Sequence, residues 1–151
     1  MQRRRFLTQA AAATGAGLAA VGLPAVAQNA PTVRWRMSTG WPKSLDALYG
    51  SADELCRRVG ELTGGKFEIR AFPGGEIVPY AQNMEAVSNG TVECNHVLAT
   101  AHIGTNTAIA FDTGLSFGMN ARQHNAWIQF GGGMEKLREM YGQYGITNFV
   151  T

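Results

Sequence analysis

Cysteine, proline and charge are all scarce in this sequence of 151 residues. Its two cysteines are too few for a disulfide-dense mini-protein, and its five prolines are too few for a collagen-like chain. Only 16% of the residues are charged while 45% are hydrophobic, a balance that excludes a disordered chain. What remains is a globular protein that is long enough to bury a substantial core.

Positive charge is concentrated at the N-terminus. Three arginines, Arg3 to Arg5, precede an uncharged, apolar stretch over residues 10–23, and a small-x-small sequence ends at Ala27. This three-part pattern is typical of a secretory signal peptide, and the Arg-Arg-x-Phe-Leu order resembles the twin-arginine export signal. We therefore expect residues 1–27 to be a twin-arginine-like signal peptide and the protein to be periplasmic. A transmembrane anchor over residues 8–29 is the alternative.

The remaining chain carries no cluster of positive charge. Residues 28–151 contain ten basic and eleven acidic residues. No run of lysine and arginine is left that could follow a phosphate backbone. We therefore expect no nucleic-acid partner.

Strand and helix patterns alternate through the first half of this region. Val33 to Ser38 and Lys66 to Phe72 alternate between apolar and polar residues, as strands do. Between them, apolar residues recur at steps of three and four, which predicts an amphipathic helix with Ser44 at its N-cap. The predicted apolar stripe comprises Leu45, Leu48, Ala52, Leu55, Val59 and Leu62.

A second helix and a third strand follow, over about residues 80–88 and 91–98. Such alternation with short connections predicts an α/β fold with parallel strands and right-handed crossovers. Ligands of open sheets of this kind bind outside the carboxyl ends of the strands. This rule selects three loops as candidate binding segments, namely Ser38 to Lys43, Pro73 to Tyr80, and Ala99 to Gly104.

The pattern toward the C-terminus is less regular. Asn120 is placed to cap a helix that ends at Phe130, and the glycines at 131–133 separate it from a helix over about residues 134–144. Residues 146–150 are expected to begin another strand. Cys56 and Cys94 lie in a helical and a strand pattern, so we expect two buried free thiols, with a disulfide as the alternative.

Searches for catalytic and metal-binding patterns find none. His96, His102 and His124 have no cysteine or carboxylate at ligand spacing, so a metal site is not indicated. The three consecutive glycines lack the Lys-Ser/Thr of a phosphate-binding loop, and no serine lies in a nucleophile elbow. We therefore expect a protein that is not an enzyme.

Several motifs, in chain order, resemble those of the extracytoplasmic solute receptors of TRAP transporters. They are Trp41-Pro42-Lys43-Ser44, Arg57-Arg58-Val59, Gly64-Gly65-Lys66-Phe67, Phe72 to Pro79, and Asn89 to Glu93. The segment Phe117 to Gln123, followed by Trp127 and by Gly131 to Glu135, is similar to the subgroup that binds 2-oxo acids such as pyruvate. The likeness covers residues 32–151.

The resemblance implies a two-lobed, type II periplasmic-binding-protein fold, of which residues 28–151 are most of the first lobe, still incomplete. Such a receptor closes around a small organic carboxylate and delivers it to a sodium-driven TRAP membrane permease without catalysis. The family's carboxylate-clamping arginine would lie beyond Thr151. So would the groups that hold a cation such as sodium beside the ligand in this subgroup, so no cofactor is expected in this portion. The resemblance also leaves open whether full-length members form a homodimer.

Four candidate binding residues follow from the first selected loop. The Ser38 and Thr39 hydroxyls are candidate hydrogen-bond donors to the ligand. Trp41 is a candidate apolar wall, with packing on the helix as the alternative. Lys43 is a candidate source of positive potential, with an ordinary solvated cation as the alternative.

Four more candidates lie further along the chain. Thr100 and His102 fall where the 2-oxo acid subgroup often carries aromatic residues, so this departure leaves the exact ligand open. Phe117 and Asn120 complete the candidate set. Two other functions stay open, an enzyme exported by the twin-arginine route and a truncated gene product with no binding of its own and exposed apolar surface.

Overall fold

A computed structural model describes residues 31–149, and the expected signal peptide at residues 1–27 lies outside them. Among the described residues, no helix combines the length and the apolar character needed to cross a membrane.

Three parallel strands form the described sheet. They are β1 (Val33–Thr39), β2 (Phe67–Phe72) and β3 (Cys94–His96), in the order β2-β1-β3. Strand β1 is central, with Ser38 opposite Phe72 of β2 on one side and Asn95 of β3 on the other. The prediction of an α/β fold with parallel strands is confirmed.

The predicted third strand is longer than the observed one. Strand β3 pairs with β1 only where β1 ends, at Met37 to Thr39. Residues after His96 therefore have no strand to pair with, and the prediction of a strand over residues 91–98 is wrong at both ends. For the same reason the strand expected over residues 146–150 is absent from its described part, residues 146–149, which pair with no neighbouring strand.

Helix α1 (Asp46–Leu62) connects β1 to β2 and packs on the sheet. Ala52 and Cys56 on the helix form a buried cluster with Met37 of β1. Both cysteines are free thiols, as predicted, but only Cys56 is fully buried, whereas Cys94 is half-buried. Burial raises the pKa of both thiols, which keeps them protonated and unreactive at neutral pH.

The predicted apolar stripe of α1 is only partly buried. Ala52 is buried, but Leu45, Leu48, Leu55 and Leu62 are exposed, and Leu62 retains 86% of its accessible surface. The described sheet is too narrow to cover the whole stripe, because β3 contributes three residues. Ser44 is not the N-cap, since a turn from Pro42 to Leu45 precedes the helix and Leu45 occupies the cap position.

Short helical segments make up most of the remaining chain. A 3₁₀ turn at Tyr80–Gln82 leads into α2 (Asn83–Ser88), before β3. After β3 come 3₁₀ turns at Ala99–His102 and Thr107–Ile109. The last elements are α3 (Ala110–Thr113), α4 (Ala121–Phe130) and α5 (Gly133–Gly142).

A second buried cluster joins α2 to the C-terminal helices. Its members are aliphatic, thioether and aromatic side chains that come from four different segments of the chain. They are Met84, Ile109, Ile128, Leu137, Met140 and Tyr141. The prediction of two helices separated by a glycine break is confirmed, and Asn120 caps α4 in a reciprocal capping box with Gln123.

Candidate functional site

The carboxyl ends of the three parallel strands meet at one edge of the sheet. Thr39, Phe72 and His96 are the last residues of β1, β2 and β3. Together with the adjoining Gly40, Trp41, Gly74 and Tyr80, they form what we call the strand-end cluster. Two of the three loops selected from the sequence thus converge with the end of β3, at the edge where open parallel sheets bind ligands.

Backbone hydrogen bonds tie the loop after β1 to both neighbouring strand ends. The Gly40 N–H donates to the His96 carbonyl at 3.0 Å, and the Gly74 N–H donates to the Trp41 carbonyl at 2.8 Å. A Cβ atom on Gly74 would lie 3.0 Å from the Gly40 carbonyl carbon and 3.2 Å from the Trp41 nitrogen. The two loops approach so closely that a side chain at position 74 would have to displace the Gly40 and Trp41 backbone by a few tenths of an ångström.

The Thr39 hydroxyl joins β1 to β2 beyond the last ladder bond. Its Oγ1 donates to the Phe72 carbonyl at 2.9 Å, and the Trp41 backbone approaches the same hydroxyl. Thr39 is fully buried. In this arrangement the hydroxyl holds the Trp41 loop against β2.

The side chains of Trp41 and His96 form a direct hydrogen bond across the cluster. Trp41 Nε1 donates to His96 Nδ1 at 3.0 Å, and the two rings meet nearly edge-on, with centroids 6.1 Å apart. The Tyr80 ring lies on the other side of Trp41, at 6.5 Å. Trp41 is only 8% exposed as a result. Burial lowers the pKa of the His96 imidazole, which favours its neutral form.

Ser38 and Lys43 flank the cluster in opposite environments. The Ser38 hydroxyl is buried and has no hydrogen-bond partner among the described residues. Lys43 is exposed on the loop and forms no ion pair with any residue in the described range.

Thr100 and His102 lie on the 3₁₀ turn that follows β3. Thr100 is exposed, whereas His102 is 4% exposed and neither ring nitrogen has a well-formed hydrogen bond within residues 31–149. Burial lowers the pKa of His102, an effect that the Ala81 backbone opposes. The His102 side chain lines a cavity of about 250 Å³ with Met84 and Tyr144, and no residue of the strand-end cluster lines it.

Phe117 and Asn120 lie on the segment between α3 and α4. Phe117 is fully exposed and adopts a φ of 62°, a left-handed conformation that is unfavourable for a bulky side chain. The Asn120 side chain accepts the Gln123 N–H at 3.0 Å. Within residues 31–149, no hydrogen bond or ring contact links either residue to the strand-end cluster.

His96 and Tyr80 are the cluster residues that sequence reasoning missed as functional candidates. As a candidate metal ligand, His96 lacks partners at ligand spacing, and the strand predicted over residues 91–98 places it in the interior of the strand rather than at its end. Recognising the true end of β3 at His96 would have pointed to it. The described residues contain no group of three or more His, Cys, Asp or Glu side chains that could hold a metal ion.

A family model described as bacterial extracellular solute-binding protein, family 7, matches residues 37–149. The chain is 41% identical to a monocarboxylate 2-oxoacid-binding periplasmic protein of Nostoc sp., over 99% of the chain but 42% of that protein. It thus spans less than half the length of this relative.

Solved structures give the same family relationship. The chain is 78% identical to a TRAP transporter solute-binding protein of Bordetella bronchiseptica, which is described as a dimer with calcium and picolinate in one active site. The match covers 78% of this chain and 35% of that protein, and its TM-score is 0.75. It is 28% identical to a TRAP solute-binding protein of Pseudoalteromonas atlantica with bound sodium and pyruvate, with a TM-score of 0.74 and coverage of 78% and 36%.

Proposed function

The chain belongs to the bacterial extracellular solute-binding protein family 7, and from this membership we propose that it forms one side of a carboxylate-binding site in a periplasmic TRAP receptor. The observation that carries the proposal is the convergence of the strand ends around Trp41 and His96, in a chain 78% identical to a TRAP solute-binding protein. The receptor would bind its solute without chemical change and deliver it to membrane permease subunits.

The solutes of the relatives share one chemical feature. Pyruvate has a ketone oxygen next to its carboxylate, and picolinate has a ring nitrogen in the same position. Either pair can chelate a cation in a five-membered ring, and the matching structures hold sodium or calcium beside these solutes. We therefore propose a small, planar carboxylate with an adjacent donor atom, such as a 2-oxo acid, as the solute class.

The cation, where one binds, would take its protein ligands from outside residues 31–149. The described residues offer no cluster of three acidic, histidine or cysteine side chains. A hard cation such as sodium or calcium prefers several oxygen ligands. The carboxylate-clamping arginine of the family would likewise come from the remainder of the receptor, where its guanidinium can bind both carboxylate oxygens.

The candidate residues of this chain divide by their position. Trp41 would form an apolar wall at the strand ends, and Lys43 and Thr100 are exposed near the same edge. Thr39 would act indirectly, because its hydroxyl holds the loop that carries Trp41. Ser38 would contribute a buried hydroxyl that has no partner among the described residues. We retain His102, Phe117 and Asn120 as residues that the closed receptor would bring to the solute or to the second lobe.

Binding in this design depends on both lobes. A solute that contacts both sides is bound more tightly by the closed form and shifts the population toward it. We further propose that residues 1–27 are a twin-arginine-like signal peptide and that the mature protein acts in the periplasm as a dimer, like that described for the Bordetella bronchiseptica relative.

A receptor chimera tests this proposal. In it, residues 32–149 of this chain replace the matching segment of the Bordetella bronchiseptica protein, whose 78% identity favours correct folding. Titration calorimetry with picolinate and pyruvate, each with sodium or calcium, is expected to show one saturable site. The unmodified Bordetella bronchiseptica protein is the matched control. Loss of all binding in a folded chimera would refute the proposal.

A further inference from the structure

The imidazole of His96, in the strand-end cluster, carries a hydrogen-bond donor whose position is fixed by its contact with Trp41. The indole N–H of Trp41 is a donor only. Because it points to His96 Nδ1 at 3.0 Å, Nδ1 must be the acceptor and cannot carry a hydrogen. The neutral imidazole of His96 therefore holds its hydrogen on Nε2.

The Nε2–H of His96 is free to bind something else. Within residues 31–149 it has no protein hydrogen-bond partner, and it is not one of the buried polar atoms that lack a partner. His96 itself is only half-buried. His96 is the last residue of β3, so this nitrogen lies on a half-buried side chain at the edge where parallel sheets bind ligands.

In the described part of the chain, no charged side chain pairs with His96. Its ring contacts in that range are with Trp41. Burial favours the neutral ring, which offers one directional N–H rather than a positive charge. A neutral donor complements a carboxylate whose charge is met by a cation and an arginine elsewhere.

Resting on the proposed function above, we propose that His96 Nε2–H donates a hydrogen bond to the solute carboxylate. Trp41 acts through His96 as a positioning residue, because its indole selects the tautomer that presents Nε2–H. His96 is not among the candidate binding residues selected from the sequence, whereas Trp41 is selected there only as an apolar wall.

Two substitutions at position 96 separate the two ring nitrogens. His96→Asn keeps an acceptor near Nδ1 for Trp41 but removes the donor at Nε2. His96→Gln reaches the Nε2 position with an amide N–H but removes the acceptor for Trp41. His124→Asn is the matched control, because His124 lies on α4 and its ring bonds the Phe111 carbonyl.

Calorimetry on the receptor chimera, with picolinate and pyruvate as probes, measures the effect. We expect His96→Asn to weaken binding by at least about tenfold, the scale of a lost hydrogen bond to a charged group. His96→Gln should lose less affinity than His96→Asn. The affinity of His124→Asn should stay within about twofold of that of the parent chimera, a change smaller than the loss of a hydrogen bond produces. Thermal melts establish that each variant is folded.

A spectroscopic readout isolates the positioning role. Two-bond ¹H–¹⁵N correlation spectra of the His96 ring should show the Nε2–H tautomer in the chimera and a mixture of tautomers in Trp41→Phe. A structural role alone would not change the tautomer.

The outcomes distinguish this inference from the proposed function. If the chimera binds neither probe, the proposed function is refuted and this inference falls with it. If the chimera binds but a folded His96→Asn binds equally well, or if the ring carries its hydrogen on Nδ1, only this inference is refuted.

Discussion

The side chain of Glu93 hydrogen-bonds to Arg36 of β1 just beyond the end of the backbone ladder between β1 and β3. Its carboxylate accepts the backbone N–H of Arg36 at 2.7 Å, and the Arg36 guanidinium binds both carboxylate oxygens, at 2.9 and 3.2 Å. Glu93 directly precedes β3, whose ladder with β1 begins one residue later. The carboxylate thus replaces the ladder bond that the backbone of residue 93 does not form.

This contact predicts a specific pH dependence. The hydrogen bond from the Arg36 side chain, with that from its backbone, lowers the pKa of Glu93 from 4.5 to about 2. A group whose pKa is lower in the folded state stabilises the fold above its unfolded pKa and loses that contribution as pH falls. Glu93→Gln should therefore lower the urea midpoint at pH 7, and its difference from wild type should vanish between pH of about 4.5 and about 2.

Glu68→Gln is the matched control for this experiment. Glu68 pairs with Arg34 on the same sheet, but both side chains are more than half exposed. Exposed pairs contribute little to stability. Equal midpoints for Glu93→Gln and wild type at pH 7 would contradict the role given to Glu93.

Ile128 is predicted to anchor α4 in the second buried cluster. It is 2% exposed, whereas Phe130 on the same helix is 90% exposed. Ile128→Ala should lower the free energy of unfolding by about 2–5 kcal/mol, because it removes buried methyl groups and leaves a cavity. Phe130→Ala should change it by less than about 0.5 kcal/mol. Urea unfolding monitored by circular dichroism measures both, and similar losses would contradict this packing.

The hydrogen bond between Tyr141 and Asp112 is predicted to hold α5 against α3. Tyr141 is buried, and its hydroxyl donates to Asp112 Oδ2 at 2.7 Å. Tyr141→Phe should cost about 1–2 kcal/mol of unfolding free energy, since the donor to a carboxylate is lost. A double-mutant cycle with Asp112→Ala tests the pair, and strictly additive effects would show that the contact contributes nothing.

Replacement of Gly74 in the strand-end cluster is predicted to destabilise the fold. A Cβ there would press against the backbone of Gly40 and Trp41, which cannot yield as a side chain can. Gly74→Ala should destabilise the fold by about 1–3 kcal/mol. Gly60→Ala is the control, because nothing lies within 4 Å of a Cβ at this position of α1. That change should stabilise by about 0.5–1 kcal/mol, and a stabilising Gly74→Ala would contradict the close approach.

Local patterns in the sequence predicted the local features of the fold. The alternation around Val33 and Phe67, the helical repeat between them and the Asn120 cap all depend on residues within a few positions of one another. Features set by tertiary pairing were not accessible in this way. The length of β3 depends on where β1 ends, and the exposed leucines of α1 depend on the width of the sheet.

The sequence predicted which edge of the sheet carries the candidate site, but it did not predict the contacts between the residues there. The rule for parallel sheets located Trp41 and its loop at the correct edge. The bond between Trp41 and His96 joins residues 55 positions apart, and no local pattern predicts such a partner. Likewise, sequence alone did not distinguish the buried His102 from a solvent-facing one, because its burial depends on tertiary packing, including contact with the 3₁₀ turn at Tyr80–Gln82.

Titration of picolinate into two proteins tests the central claim most directly, namely that this chain provides one side of a two-sided carboxylate site. The proteins are the receptor chimera and residues 28–151 alone, measured in the same buffer with calcium. We expect saturable binding by the chimera and none by the isolated segment up to about 1 mM solute, because half of the contacts are missing. A dissociation constant below about 1 µM for the isolated segment would contradict it.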